Sequence, residues 1–474
     1  MLLRLRNYFN QLFLVDPRSY RLFCILIGIT SLWDVFSRFP EAVPFYSSSG
    51  ILSDQFLVEA YKYKISWSIN LLFRTAVMQQ VLLLFQAVVS LAMITNRFNR
   101  VVNLTLWILV MSRQIANPYV LSAGDELLRH LLFWSCFLAP PKKEPNEINA
   151  GAIALAIQLL SIYYFSALMK TSPSWRTDGS ALGMAISLES FSYPFVRNLL
   201  KFPELLKTLS IFTWYLELLT PILFILSAAS KYARLGFVLV MIGFHLTLAC
   251  TFRLGYFPFV CITGWCLWLP ETFWDKLKIS ISEATLRLHR PKVEQITKQL
   301  PQAVCLYLIL FNLGINFRTS QEKPFYPGAF LNGVGDFFYM WQKWGMFAPM
   351  PSIDDGWNSF EAVLTDGTKI KVNGRGGPAD GTLFQESAND RPLDLADSYR
   401  TIGWRSFLYS LHQSETETIM IESYLDYLCR QVVIKNPYLP IEAIDFSYNV
   451  EWTKADQTKK APEKEPVLNY RCSK

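Results

Sequence analysis

Nine apolar runs fill the first two thirds of this chain, at residues 21–38, 75–95, 101–116, 127–139, 150–168, 208–228, 234–252, 254–270 and 302–319. A soluble domain does not gather its hydrophobic residues this way, and several runs reach the ~20 residues that a membrane-spanning helix needs. Composition agrees. Of 474 residues, 51% are hydrophobic and only 18% charged, against about 25% charged in an ordinary soluble domain. Disordered, collagenous, coiled-coil and disulfide-stapled architectures are excluded. The expected fold is an all-α polytopic membrane bundle of about nine transmembrane helices, with 101–116 and 127–139 short enough to be tilted or re-entrant.

Beyond about residue 325 no run could span a bilayer, and glycine, proline and acidic residues rise. Phe360–Lys371 reads as two alternating stretches around Asp366-Gly367, a strong hairpin signal, and Ile444–Trp452 alternates as another strand. Tyr399–Leu411 and Met420–Val433 read as amphipathic helices. The organisation is therefore an amphipathic segment (1–20), a transmembrane domain (21–320), a small C-terminal α+β extramembrane domain (325–460) and a flexible tail (461–474).

Charge gives an orientation. Residues 1–320 hold 29 Lys and Arg against 17 acids, and the remainder holds 16 against 21. In a nine-span arrangement one set of loops collects Arg4, Arg6, Arg18, Arg21, Arg97, Arg100, Lys142, Lys143, Lys231, Arg234, Lys276, Lys278, Arg287, Arg290, Lys292 and Lys298. Positively charged loops stay in the cytoplasm, which puts the N-terminus inside and the C-terminal domain on the extracytoplasmic side. The lipid bilayer is the expected partner. Without a basic stripe interleaved with aromatics, nucleic acid is not. Six of the eight cysteines lie in or beside apolar runs, where Cys packs as a small hydrophobe. Only Cys429 and Cys472 fall in the polar domain, where an oxidising compartment allows them to pair. No metal-ligand spacing and no Walker, GxGxxG, HExxH or GxSxG motif is present.

Charged residues inside apolar runs are costly and need a reason. Asp34 and Arg38, and again Asp125 and Arg129, stand four apart, the spacing of a local helical ion pair. Arg113 and Asn117 share one helical face. Lys170 closes the run AIALAIQLLSIYYFSALMK beside Tyr163, Tyr164 and Trp175; a lysine at a helix end ordinarily snorkels to the interface, whereas a desolvated amine can serve as a base. Glu217 sits in FTWYLELLTPILFIL with no compensating charge nearby in sequence. His245, in VMIGFHLTLAC, is by position an ordinary packed histidine. Lys170, Glu217 and His245 together would bring acid–base groups from three spans to one cavity near the outer leaflet.

The stretch Tyr163–Trp175, YYFSALMKTSPSW, resembles the vitamin K-dependent gamma-carboxylase superfamily, which shares the horizontally transferred transmembrane (HTTM) domain. Gly243–Val260, the helix around Glu217, Asn117–Trp134 and the tail segment WGMFAPMPSIDDGW extend the likeness along the chain. The resemblance implies a lysine base at Lys170, with His245 and Glu217 as its catalytic companions. A reduced quinone such as vitamin K hydroquinone is the implied cofactor, and a membrane-embedded lipid or peptide the implied substrate. Arg113, Asn117, Tyr164 and Trp175 are the candidate substrate-binding residues. Where the carboxylase carries Asn-His, this chain has Asn117-Pro118, and its tail does not resemble the carboxylase region that grips propeptide. Two readings follow: a carboxylase-like membrane enzyme with a lysine general base, or a non-catalytic membrane scaffold whose outer domain binds a partner protein.

Overall fold

A computed structural model describes residues 8, 11–53, 56–57, 67–95, 100–138, 150–279, 300–321, 329–372, 383–384, 391–413, 418–453 and 459–472. Of the basic residues used for orientation, Arg4, Arg6, Arg97, Lys142, Lys143, Arg287, Arg290, Lys292 and Lys298 lie outside them.

The helices of ten or more residues in the bundle are α1 (Pro17–Arg38), α2 (Ala76–Ile94), α3 (Arg100–Ala116), α4 (Ala123–Ser135), α5 (Ala150–Met169), α6 (Pro203–Ser227), α7 (Lys231–Thr251), α8 (Phe257–Cys266) and α9 (Leu300–Gln321). Their starts are written in the sequence. Asp16 caps α1 ahead of Pro17, and Thr75 and Ser230 accept from the first-turn amides of α2 and α7. Ser122 and Asp125 form a capping box at α4. Each satisfies amides that the first turn leaves orphaned.

Among the described residues, five helices are long and apolar enough to cross a membrane: α1 with its continuation to Tyr46, α2, α5, α6 and α7. The runs at 101–116, 127–139 and 254–270 form α3, α4 and α8, of 17, 13 and 10 residues. At 1.5 Å per residue they fall short of the ~30 Å hydrocarbon layer. They bury instead: Leu106, Val110, Leu127, Leu128, Leu131 and Val260 all lie in the bundle core. The run at 302–319 lies in α9, whose apolar stretch among the described residues is Leu308–Phe317. Helix α5 is the central element, packed between α6 and α9. Helices α2, α6 and α7 turn apolar stripes outward, as with Leu205, Leu209, Phe212, Tyr215, Leu219 and Ile222 on α6. A helix apolar on its outer face fits lipid, not water.

The two ends of the bundle differ. At one, Arg18 reaches Asp275 (2.8 Å), Lys231 reaches Glu271 (2.5 Å), and Arg21 donates to the Ile94 carbonyl (2.6 Å). The other end carries the C-terminal domain. Between them runs a strap, residues 338–347, that leaves the surface and enters the helical core. Met340 and Trp344 are each about 1% exposed there. Arg129 donates to the Trp341 carbonyl (3.1 Å), and Gln158 to the Gln342 carboxamide oxygen (2.7 Å). Irregular backbone is tolerated at this depth only when protein groups satisfy it.

The C-terminal domain is a five-stranded antiparallel sheet in the order β3-β2-β1-β4-β5, from β1 (Asp354–Leu364), β2 (Lys369–Val372), β3 (Leu383–Phe384), β4 (Ile441–Trp452) and β5 (Glu463–Arg471). Gly367 at φ +81° turns the β1–β2 hairpin, a conformation that only glycine adopts freely. Helices α10 (Ile402–Gln413) and α11 (Thr418–Lys435) cover the sheet. Phe360, Ile444 and Phe446 pack against Trp404, Phe407 and Tyr424, and Phe45, Tyr46, Ile51 and Leu52 from the segment after α1 complete that core. The domain is thus built partly from the bundle's own chain. Residues 463–471, expected within a flexible tail, are a paired edge strand instead, and Cys472 just after it is disulfide-bonded to Cys429 of α11 with Cα atoms 5.7 Å apart. Edge-strand residues Lys464, Glu465 and Pro466 hide the alternation that would have marked it, since edges carry charge and proline.

Two ion clusters hold the domain to the loop 188–197. Asp394 bridges Arg197 (3.1 Å) and Arg253 (3.3 Å). Glu189 pairs with Arg391 (2.9 Å) and Lys459 (2.6 Å), and Glu451 engages the same two cations. Burial alone would raise these three carboxyls, but Lys459 and Arg391 at Glu189 and Glu451, and Arg253 and Arg197 at Asp394, outweigh it and hold each below its ordinary value. A carboxyl lowered on folding stabilises above its unfolded value near 4 and loses that contribution as pH falls through the folded one. Hydrogen exchange of residues 189–197 should therefore accelerate below about pH 4. An exchange rate that follows only the intrinsic chemistry of the amides down to pH 3 would show that these pairs do not hold the loop.

Candidate functional site

Lys170 follows α5 directly, at the bundle end facing the C-terminal domain, and is 3% exposed. Its Nζ donates to Glu217 Oε2 on α6 (2.5 Å) and to Ser166 Oγ one turn earlier (2.9 Å), and lies 4.6 Å from the centroid of the Trp175 ring. An ammonium has three N–H groups; a carboxylate, a hydroxyl and an aromatic face surround this one. Trp175 is fixed by its indole N–H to the Phe347 carbonyl (3.0 Å), and the Ser172 amide meets the Pro349 carbonyl (3.4 Å). The segment following the strap therefore roofs the lysine. On the α6 side, Trp214 donates to the Ala167 carbonyl (3.0 Å), and Arg176 donates to the Lys170 carbonyl (2.8 Å) with its guanidinium 5.2 Å from the Trp214 ring.

His245 lies deeper. Its Nε2 meets the Tyr163 hydroxyl (2.5 Å), which also accepts from Trp265 Nε1 (2.6 Å). Its Nδ1 is buried without a hydrogen-bond partner among the described residues. Tyr163 precedes Lys170 by seven residues, about 10 Å along a helix and on nearly the same face. Lys170 and Glu217 are thus in direct contact, while His245 is bonded to Tyr163 about two turns below, and no hydrogen bond links it to the pair among the described residues.

The candidate binding residues divide. Trp175 belongs to the lysine site. Tyr164 is half-buried with its ring against Phe165. Arg113 gives its charge to Asp34. Asn117 donates to the Phe45 carbonyl (3.2 Å) and accepts from the Tyr119 amide (3.1 Å), capping the turn at Pro118. Through Asp34, Arg113 belongs to a second, wholly buried ionic cluster. At its centre Arg38 takes Asp125 through both carboxylate oxygens (2.8 and 2.9 Å) and Glu41 (3.0 Å), with Asp34 farther off (3.8 Å). Tyr256 donates to Asp125 (2.8 Å), and Thr401, just before α10, donates to Glu41. The local pair expected between Asp125 and Arg129 is not formed. Asp125 turns to Arg38, and Arg129 turns to Gln114 and to the ring of Tyr339, 4.4 Å from its centroid. The geometric reason is that the capping box already points Asp125 back over the first turn, away from Arg129.

A third cluster escaped the sequence reading. Gln158 on α5, Asn312 on α9 and Gln342 on the strap hydrogen-bond one another, with Trp134 and Trp344 donating into the same oxygens. Amides are neutral and do not interrupt an apolar run; the available signal was Gln158 and Asn312 standing within such runs.

A reduced quinone needs a base at one hydroxyl and a polar group for the rest of its head. Lys170 with Trp175 meets the first need. For the second, Arg113 is committed to Asp34 through Nη2 in the other cluster, with Nε and Nη1 buried and unbonded among the described residues. Asn117 caps the turn at Pro118, and Pro118, which has no hydrogen-bonding side chain, stands where the carboxylase has histidine. The residues do not fit that cofactor.

No curated protein and no solved structure matches the chain. The stretch 138–274 contains Lys170, Glu217 and His245 but neither Arg113 nor Asn117. That stretch matches the family model of the HTTM domain, so the chain carries an HTTM domain over those residues, among helices apolar enough to cross a membrane.

Proposed function

We propose that this HTTM domain protein is a membrane enzyme in which Lys170 takes a proton from a weakly acidic group on a bilayer-dissolved substrate. The observation that carries the reading is the Lys170–Glu217 pair, buried beneath Trp175. A paired lysine is a poor base, but here its partner is a carboxylate at 2.5 Å. Passing the proton from Nζ to Oε2 leaves a neutral amine and a neutral acid, which relieves the desolvation that an interior ion pair suffers. The amine lone pair is then available, Ser166 orients it, and Glu217 holds the first proton.

The expected orientation, with the C-terminal domain outside, draws support from two sides. Arg18, Arg21, Lys231, Arg234 and Lys276 gather at the opposite end of the bundle, and the Cys429–Cys472 bond suits an oxidising compartment.

The test compares cells lacking the gene with cells restored by wild type, Lys170→Ala, Lys170→Arg or Glu217→Gln. Lipid extracts and bicarbonate-labelled peptides are surveyed by mass spectrometry. A product that depends on wild type should fall about 100-fold or more in Lys170→Ala, the scale of a lost general base. Lys170→Arg should keep the expression level and still lose the product. If Lys170→Ala restores everything that wild type restores, the lysine is structural and the scaffold reading takes its place.

A further inference from the structure

The segment joining the two halves of the lysine site, residues 188–202, has two apolar faces, and only one is used by protein. Val196 is buried and Leu200 half-buried against Ala185, Ile186, Leu206 and Phe252. On the other face Phe195 and Phe202 are 65% and 58% exposed, and Leu199 is exposed between them. The exposed row continues through Leu205, Leu209 and Phe212 onto the lipid-facing stripe of α6. Its backbone is anchored: the Arg253 amide donates to the Phe191 carbonyl (2.7 Å), and the Tyr193 amide to the Thr251 carbonyl (3.2 Å), at the end of α7. The same turn carries Arg197, which faces the other way and pairs with Asp394 of the C-terminal domain (3.1 Å).

We propose that residues 195–202 form a foot that sinks into the outer bilayer interface, with Phe195, Leu199 and Phe202 among the upper acyl chains, and that Arg197 ties the C-terminal domain to this foot. The occupant is lipid because the exposed row is continuous with a face that already meets lipid. Length agrees as well. Helix α6 has 25 residues, about 37 Å, longer than the ~30 Å hydrocarbon core and shorter than the ~40–45 Å that includes both headgroup layers. Its first turn therefore falls in the headgroup region, where aromatic side chains collect. Insertion is hydrophobic, not ionic. On this turn Arg197 is committed to Asp394, leaving Lys201 as the exposed cation among residues 195–202.

Nitroxide labels at Phe195→Cys, Leu199→Cys and Phe202→Cys test this, in the full chain in neutral phospholipid nanodiscs with Cys136, Cys250 and Cys305 replaced by Ser. Labels at 195 and 202 should be relaxed severalfold more by oxygen than by an aqueous nickel chelate. They should match Leu209→Cys, and raising NaCl from low to molar concentration should not change them. Tyr438→Cys, 98% exposed on the C-terminal domain, should show the reverse preference. Nickel accessibility at 195 and 202 equal to that at 438 would overturn the foot. So would protection from both relaxants, which would mean that protein covers this face. Asp394→Asn should leave the labels in lipid while speeding hydrogen exchange at residues 395–398; a label that leaves lipid in that variant would show that the domain, not the foot, does the anchoring.

Discussion

Arg38→Met is expected to destabilise the protein by ~3–5 kcal/mol, the cost of removing one partner from a buried ion cluster. Arg38 is about 1% exposed and pairs with both Asp125 and Glu41. Without it two carboxylates remain in the interior, hydrogen-bonded by Ser122, Tyr256 and Thr401. Arg38→Lys should recover little, because one ammonium cannot hold Glu41 and Asp125 together as the separate Nη1 and Nη2 of the guanidinium do. The neighbouring Gly403→Ala is a milder probe: a Cβ there would stand 2.3 Å from Arg38 Nη1 and 2.8 Å from Glu41 Oε2. Unfolding titrations in detergent read all three. If Arg38→Met unfolds within ~1 kcal/mol of wild type, the cluster is hydrated in the folded protein.

Losing the Cys429–Cys472 bond should cost nearly as much. Its two ends are 43 residues apart, and chain entropy assigns a loop of that size about 4 kcal/mol. The loss should be local. Strand β5 pairs with β4 alone and exposes most of its side chains, so Cys472→Ser should release residues 463–471 to rapid hydrogen exchange while β1 and β4 stay protected. Reductant should do the same to wild type and nothing more to Cys472→Ser. Equal protection of β5 with and without reductant would make the bond incidental.

What the sequence could reveal depended on the range of the interaction. Helices α2, α5, α6 and α7 were legible because an apolar run near 20 residues has few other meanings, and the β1–β2 hairpin because Asp366-Gly367 dictates a turn. The short helices α3, α4 and α8 carry the same composition for another reason: hydropathy does not distinguish lipid from the inside of a protein. Lys170 and Glu217 could be singled out by cost, each being a charge in an apolar run, but their contact spans 47 positions and no local rule implies it. Asp125 shows the converse. Its spacing from Arg129 obeys the helical rule, yet a partner 87 positions away took it. Partners close in sequence are only the nearest candidates, and a buried carboxylate takes the best solvation that the folded chain can offer.

The strap at 338–347 has a consequence for biogenesis. Met340, Gln342 and Trp344 fill the interior between α4, α5 and α9, yet they follow all of those helices in the chain and emerge from the ribosome after them. Until then Gln158 and Asn312 lack one of their partners, and Arg129 faces an open seam. The core is therefore completed only when the chain beyond its last helix turns back and closes it. Truncation before residue 338 should thus yield an assembly intermediate with its core unsealed, the natural substrate of membrane quality control.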